Sequence, residues 1–323
     1  MKILVTGGAG FIGSNLSERL LGLGYEVVCL DNFSTGNRRN ILAMNLSKHY
    51  KLIEGDIRSL ETCHKATEGV DYVLHHAALG SVPRSLTDPI TANEVNVSGF
   101  LNMLTASRDA KVKRFIYAAS SSTYGDSTKL PKIEEEIGKP LSPYAVTKYA
   151  NELYADVFSR CYGLQTIGLR YFNVFGAKQD PMGSYAAVIP LFTKQLISHQ
   201  SPTINGNGEF SRDFTHIDNV IEANLKAIET TNPEAINQVY NIAFGESTTL
   251  NKLVEYLKES LCSYDSEISK ITPTYREPRA GDIPHSLAST EKAQHLLDFT
   301  AKVSVREGLR KAAEWYWYNL KRE

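Results

Sequence analysis

"MKILVTGGAGFIGSNLSERLLGLG", residues 1–24, decides how the rest of the chain is read. "KILVTG" is a short apolar run suited to a buried strand, and "FIGSNLSERLLGLG" follows with helical character up to Gly24. Between them lies "GGAGFIG", with Gly7, Gly10 and Gly13 at regular spacing. The first glycines permit a tight turn and close approach of a ligand to the backbone. The helix start then offers free N–H groups and the positive end of its dipole to a diphosphate. Glycine trios also occur in turns that bind nothing. Here the position between a first strand and a first helix marks a dinucleotide-binding unit.

The same rhythm continues. "EVVCLDN" (26–32), "YKLIEGDI" (50–57), "VDYVLHHAA" (70–78) and "RFIYAAS" (114–120) read as strands, with helices near 90–110 and 143–162 and a further apolar run, "LQTIGLRYFNVFG", at 164–176. Near-continuous apolar strands separated by helices predict a Rossmann-type, doubly wound parallel sheet covered on both faces. Such a sheet binds ligands at the carboxyl ends of its strands. After Gly176 the pattern loosens into polar, Gly/Pro-rich loops: "KQDPMG" (178–183), "NGNGEFSRDF" (205–214) and "TYREPRAGDIPH" (274–285). We expect an NAD-binding part at 1–176, with segments near 210–245 returning to it. Residues 177–323 are expected to form mainly a smaller substrate-binding α/β region. The amphipathic last helix, "SVREGLRKAAEWYWYNL" (304–320), is read as using its aromatics for packing.

The 323 residues are 42% hydrophobic and 22% charged, as in ordinary globular proteins, and the net charge of -1 gives no pull toward nucleic acid or an anionic membrane. No apolar run is long enough to span a bilayer, and the N-terminal stretch lacks the pattern of a secretory signal. Cys29, Cys63, Cys161 and Cys262 are far apart, which argues against a disulfide framework or zinc site and for a reducing cytoplasm.

Asp31 ends the second predicted strand about 20 residues after the glycines, where a carboxylate accepts adenosine ribose hydroxyls and repels a 2′-phosphate. NAD is therefore expected over NADP; a surface or capping Asp is the alternative. Asp56 ends the third strand, near an adenine edge. In "SPYAVTKYANE" (142–152), Tyr144 and Lys148 fall on one helix face. An ammonium beside a phenol, together with a cationic nicotinamide, favours the phenolate and a tyrosine base. The spacing also occurs on ordinary amphipathic helices; it gains meaning downstream of a strand ending in "AASSSTYG" (118–125). His75 and His76 end a predicted buried strand with no third ligand apparent, so packing or cofactor-loop contact is preferred to a metal site.

Taken with "HHAA" (75–78), "NVSG" (96–99), "RYFNVFG" (170–176), "RDFTHIDN" (212–219) and "EPRAGD" (277–282), these motifs resemble the extended short-chain dehydrogenase/reductase family over essentially the whole chain. Within it the chain is similar to NAD-dependent nucleotide-sugar 4-epimerases. "AASSSTYGD" and "GSYAAVIP" (183–190) resemble the subgroup acting on UDP-N-acetylglucosamine and UDP-N-acetylgalactosamine. The resemblance implies a hydroxyl at Ser120, a base at Tyr144 and an electrostatic partner at Lys148. Counting from Tyr124 leaves open which of Ser120, Ser121 and Ser122 meets the sugar O4. It further implies NAD contacts at Gly7, Gly10, Phe11, Ile12 and Gly13, at Asp31, Asn32, Ser34 and Gly36, and at Asp56 and Ile57. Ala77, Ala78, Asn96, Tyr144, Lys148 and Tyr171 complete that set. Asn173, Ala187, Val188, Asn205, Arg212, Arg279, Asp282 and Ser286 would hold a UDP-sugar with Ser121 and Ser122. A homodimer through the helices near 90–110 and 145–162 is also implied.

Dehydratase relatives carry an acid and a base directly after the hydroxyl residue. Ser121 and Ser122 stand at those positions here and are poor proton donors and acceptors near neutral pH. The expectation is therefore 4-epimerisation of UDP-N-acetylhexosamines, with UDP-glucose and UDP-galactose as further candidates. Ser286 is read as leaving room beside the C2 substituent. The alternatives are a UDP-glucuronate or UDP-N-acetylglucosaminuronate 4-epimerase, which calls for a basic residue near the sugar C6 with Arg84 an unplaced candidate, and a non-catalytic NAD-binding regulator.

Overall fold

Ile3, Leu4 and Val5 are fully buried, and the sheet grows outward from them on both sides. The computed structural model describes residues 1–180, 187–277 and 284–320. Strands β1 (Lys2–Thr6), β2 (Glu26–Asp31), β3 (Tyr50–Glu54), β4 (Tyr72–His75), β5 (Arg114–Ser120) and β6 (Thr166–Tyr171) alternate with helices. These are α1 (Phe11–Gly22), α2 (Leu60–Thr67), α3 (Val82–Thr87), α4 (Pro89–Asn93), α5 (Gly99–Asp109) and α6 (Pro143–Tyr162). The chain continues through β7 (Val174–Phe175), α7 (Val188–Ile197), β8 (Thr203–Asn205), β9 (Ser211–Arg212), β10 (Thr215–His216) and α8 (Ile217–Glu229). It ends with β11 (Gln238–Ile242), β12 (Thr248–Thr249), α9 (Leu250–Leu261), β13 (Thr274–Arg276), α10 (Glu291–Leu297) and α11 (Val305–Leu320).

The main sheet is seven-stranded and parallel, in the order β11-β6-β5-β4-β1-β2-β3. Strand order reverses between β1 and β4, so the crossovers on either side of that line part and leave a crevice at the carboxyl ends. This is the doubly wound architecture expected from the strand–helix alternation. Gln238–Ile242 adds the outermost strand beside β6, although it lies far along the chain. Three short pairs, β7 with β10, β8 with β13 and β9 with β12, organise the later segments.

One apolar core joins α1 and α8 to the sheet through residues such as Leu16, Leu20, Val220 and Ala223. The opposite face is covered by α2, α5 and α6, with Phe100, Phe115, Tyr117 and Phe158 at its centre. A third core lies under α7, α9 and α11, where Tyr316 and Trp317 are buried against Phe192 and Leu257. The aromatics of the last helix thus pack inward, and the Tyr316 hydroxyl also donates to Gly176 O at 3.1 Å. The helix expected near 90–110 is not uniform: residues Glu94–Ser98 form a π turn between α4 and α5. That wider turn carries the buried Asn96.

The sheet's polar pin is Arg170 of β6, 3% exposed. Its guanidinium donates to both oxygens of Glu152 on α6 at 2.9 and 2.7 Å, to Glu134 O at 2.9 Å and to Tyr124 Oη at 3.1 Å. Tyr124 in turn donates to Asn241 Oδ1 of β11 at 2.6 Å. Removing the guanidinium leaves the Glu152 carboxylate buried without its hydrogen-bonded ion-pair partner. Arg170→Leu should therefore cost about 3–5 kcal/mol, read as a lowered midpoint in thermal or urea unfolding. The Arg170→Leu/Glu152→Leu double variant should recover part of it.

Candidate active site

The turn after β1 is built by exclusion of side chains. Gly7 has φ +66°, and a Cβ there would lie 2.8 Å from Ala77 N and 2.9 Å from its Cα, where the chain leaves β4. A Cβ on Gly13 would strike the Gly7 carbonyl, so helix α1 can close onto the turn only with glycine there. Gly10 precedes α1 without any side-chain cap, leaving the first-turn N–H groups of the helix for a ligand. Gly7, Gly10, Phe11, Ile12 and Gly13 all line a cavity of about 690 Å³ along the carboxyl edge of the sheet.

One end of that cavity is walled by Asp31, Asn32, Ser34, Asp56 and Ile57. The Asp31 carboxylate accepts from Ala9 N at 2.9 Å and Phe33 N at 2.8 Å, which fixes it in place while each oxygen keeps accepting capacity for a hydroxyl. Gly36 stands behind it: a Cβ there would meet the carboxylate, so glycine lets the loop fold over Asp31 without forming the wall. Asp56 is gripped by Arg58 and by Asn32 Nδ2, and the Arg58 hydrogen bonds hold its carboxyl down at about 2. Ala77 and Ala78 line the middle. Asn96 does not line it; it accepts from Leu79 N at 2.8 Å and donates to Leu79 O and Thr147 Oγ1, bracing the wall from behind. Leu79, Gly80 and Ser81 also line the cavity and were not singled out by motif reasoning. The available signal was their position directly after β4, at the switch point.

The far end carries Ser120, Ser121, Tyr144, Lys148 and Tyr171. A second cavity of about 350 Å³ adjoins it, lined by Val188, Asn205 and Arg212, and shares Asn173 and Ala187 with the first. Asn173 sits at φ 35°, a conformation rare for a residue with a side chain, and donates to Asp213 O at 3.0 Å. Arg212 donates to Ser211 O and Pro284 O. Ser286 is on neither wall; its N–H donates to Ser211 O at 3.1 Å. Arg279 and Asp282 lie outside the described residues.

Residues 3–243 match the family model described as NAD dependent epimerase/dehydratase family. The chain belongs to this family. It is similar to a UDP-glucose 4-epimerase of Thermotoga maritima solved with UDP-glucose, at 38% identity and TM-score 0.90, covering 99% of this chain and 100% of that one. A UDP-N-acetylglucosamine 4-epimerase of Methanobrevibacter ruminantium, in complex with UDP-N-acetylmuramic acid, shares 36% identity at TM-score 0.90, over 98% of this chain and 97% of that one. A putative UDP-glucose 4-epimerase of Methanocaldococcus jannaschii is 34% identical over 97% of each chain. The family's NAD fits what the chain offers: an uncapped helix start behind side-chain-free turns, and a fixed carboxylate at the end of β2.

In this epimerase/dehydratase the reactive end is set by α6. Ser142 caps it, accepting from Ala145 N at 3.1 Å, and Pro143 begins it, which puts Tyr144 and Lys148 on its inward face. Ser120 Oγ accepts from Ser122 N at 3.2 Å and Ser122 Oγ at 2.9 Å. Ser122 is thus turned back from the cavity, and the Ser120 proton is left for Tyr144, whose phenol it eases. Burial nevertheless raises the Tyr144 pKa, contrary to the expectation that Lys148 would lower it. Lys148 Nζ is 6.0 Å from the Tyr144 ring centre and donates to Ala118 O at 2.8 Å, so the cost of burying a phenolate prevails. His75 is enclosed by Phe100 and Phe115, with Nδ1 3.0 Å from Thr6 Oγ1, while His76 stacks on Tyr171.

Burial also pulls Lys148 from 10.5 down to about 8. The unfolded chain holds more protons there than the folded one, so this lysine disfavours folding below about 8 and the penalty is relieved as pH rises toward 10.5. The unfolding free energy of cofactor-free wild type, minus that of Lys148→Met, should therefore rise with pH from about 8 upward. A flat difference would show that the ammonium is not desolvated.

Proposed function

We propose that the protein is an NAD-dependent 4-epimerase that interconverts UDP-N-acetylglucosamine and UDP-N-acetylgalactosamine, and that UDP-glucose and UDP-galactose also enter its site. The observation that carries this is where the acids are. Among the described wall residues of the two cavities the carboxylates are Asp31 and Asp56, both at the far end from Tyr144. Ser121 faces the cavity where an acid would drive elimination. With no acid–base pair beside the sugar among the described residues, a keto intermediate lacks a route to dehydration there and is returned to an alcohol.

In this reading Ser120 receives the sugar O4 and passes its proton to the Tyr144 phenolate, which the Lys148 ammonium stabilises until that proton arrives. When bound, NAD supplies reversible hydride acceptance, so the sugar passes through a 4-keto form with no net redox change. Arg212, with Asn173, Val188 and Asn205, holds the UDP end; a guanidinium gives charge and paired donors to a diphosphate. That hold on one end is what lets the keto sugar turn over and present its other face.

Support for an N-acetylated sugar comes from the small residues around Tyr144. Gly80, Ser81, Ser121 and Ala187 leave width for a C2 substituent. Ser286, expected to provide that width, stands back from both walls. The acidic-sugar alternative calls for a basic group at C6, and Arg84 lines neither cavity. NMR of the products formed from a panel of UDP-hexoses, UDP-N-acetylhexosamines and UDP-hexuronates is the test. Inversion at C4 with the highest kcat/KM on the N-acetylated pair is expected; no turnover of any UDP-sugar would favour a binding module. Tyr144→Phe should lose about 10²–10⁴-fold in kcat while keeping its NAD.

We also infer a homodimer. Leu86 and Ile90, 62% and 72% exposed on α3 and α4, lie beside α6, which exposes Val146, Leu153 and Val157 at 55%, 53% and 40%. This apolar face matches a second copy of itself about a two-fold axis. Sedimentation should show a dimer for wild type and a monomer for Leu153→Glu.

A further inference from the structure

Beneath the cavity, three polar side chains meet whose protons can be placed one by one. His76 follows β4 and Tyr171 ends β6, on either side of β5. Between them β5 carries the small Ala118 and Ser120, Ser120 in register with Tyr171, and the two rings stack with centres 6.0 Å apart and planes 11° apart. Asn224, fully buried on α8, reaches both. Its Nδ2 donates to Val220 O at 2.8 Å and to Tyr171 Oη at 2.9 Å, and its Oδ1 lies 3.3 Å from His76 Nε2.

A backbone carbonyl only accepts, so Val220 dictates which end of the amide is NH₂. Both amide protons are then used, and Oδ1 must accept. His76 consequently carries its proton on Nε2. Its Nδ1 is a lone pair, shielded from solvent and without a hydrogen-bond partner among the described residues. Tyr171 Oη accepts from Asn224, which leaves its own proton free to be donated elsewhere.

We propose that Asn224 is a positioning residue: it fixes the single proton of His76 on Nε2 and orients the Tyr171 hydroxyl, while burial keeps the His76 ring neutral, so that Lys148 is the one cation among the described wall residues at the reactive end. The proposal rests on reading the cavity as the NAD and sugar site. Among the described wall residues, His76 and Lys148 are the only nitrogen bases. A second cation there would compete with Lys148 for the phenolate and repel an oxidised nicotinamide. The groups facing His76 are Lys148 from α6, His75 from its own strand, Tyr171 from β6 and Asn224 from α8. Burial lowers the His76 pKa to about 3, eased by its Asn224 hydrogen bond and pressed further by Lys148.

The test is imidazole nitrogen NMR on the full-length protein with its NAD, with the His76 signal assigned by His76→Gln. Expected is a neutral ring protonated on Nε2 that does not titrate between about pH 6 and 8. A proton on Nδ1, or titration near the ordinary value, overturns the proposal whatever reaction the enzyme performs. In Asn224→Asp, a carboxylate beside Nε2 should hold His76 as imidazolium through that range. kcat should fall and gain a new ionisation with pH, while KM for the UDP-sugar stays put. If Asn224→Asp is folded, carries an imidazolium and keeps the wild-type pH profile, the positioning role is wrong. If it does not fold, the wild-type spectrum alone decides.

Discussion

The contact on which the rest of the site depends is backbone against backbone: Gly7 against Ala77. β1 and β4 are neighbours in the sheet, and the chain leaves them in opposite directions. Only a residue without a side chain lets the two exits touch, since a Cβ on Gly7 would fall on the Ala77 backbone. That closeness opens the crevice upward and aims the start of α1 into it. It also seats His76 and Ala77 as a floor held to Thr6 by His76 N to Thr6 O and Ala77 N to Thr6 Oγ1. The cofactor-binding edge, the reactive end and the stacked His76–Tyr171 pair are all arranged relative to this one approach.

The reactive end shows why a hydroxyl, a phenol and an ammonium are arranged around burial rather than around one another. Desolvation drives the Tyr144 and Lys148 pKa values apart, the phenol up and the ammonium down. The protein by itself therefore holds Tyr144 as an acid in reserve. The missing stabilisation of a phenolate is a positive charge close to the ring, which the oxidised nicotinamide of NAD carries. In the proposed reaction, basicity that depends on the cofactor's charge would couple proton removal to hydride transfer, because the phenolate would be favoured only while the ring is oxidised.

Local patterns were legible in the sequence because they are local. The strand–glycine–helix unit, the helix over 143–162, Asp31 at the end of β2 and the pair Tyr144 and Lys148 each depend on neighbours within a few residues. What a short window cannot contain was misplaced or missed. Asn96 was read as a ligand contact, yet the π turn rotates it onto Leu79 and Thr147. Gly36 and Ser122 were placed in the site by the resemblance; neither lines the cavity, and each shapes the neighbour that faces it. Ser286 was positioned by counting along a loop, and its backbone is claimed by Ser211. The His76–Asn224–Tyr171 cluster comes from two strand ends and a helix with no common spacing, so no motif points to it.

Arg170 explains how the later half of the chain is tied to the serines. Its guanidinium holds Glu152, one helical turn beyond Lys148, and Tyr124, which closes the turn that begins at Ser120. Tyr124 passes the connection to Asn241 of β11, and Asn241 takes hold of Lys132 O, Glu134 Oε1 and Ser289 O. A strand added late in the chain thus completes the polar scaffold behind the Ser120 hydroxyl. A sheet edge can also be closed by apolar packing alone. A buried charge network carries a desolvation cost that apolar packing does not, and in return it permits few arrangements of its members. Here the arrangement it permits keeps Ser120, Tyr144 and Lys148 in register across two strands and a helix.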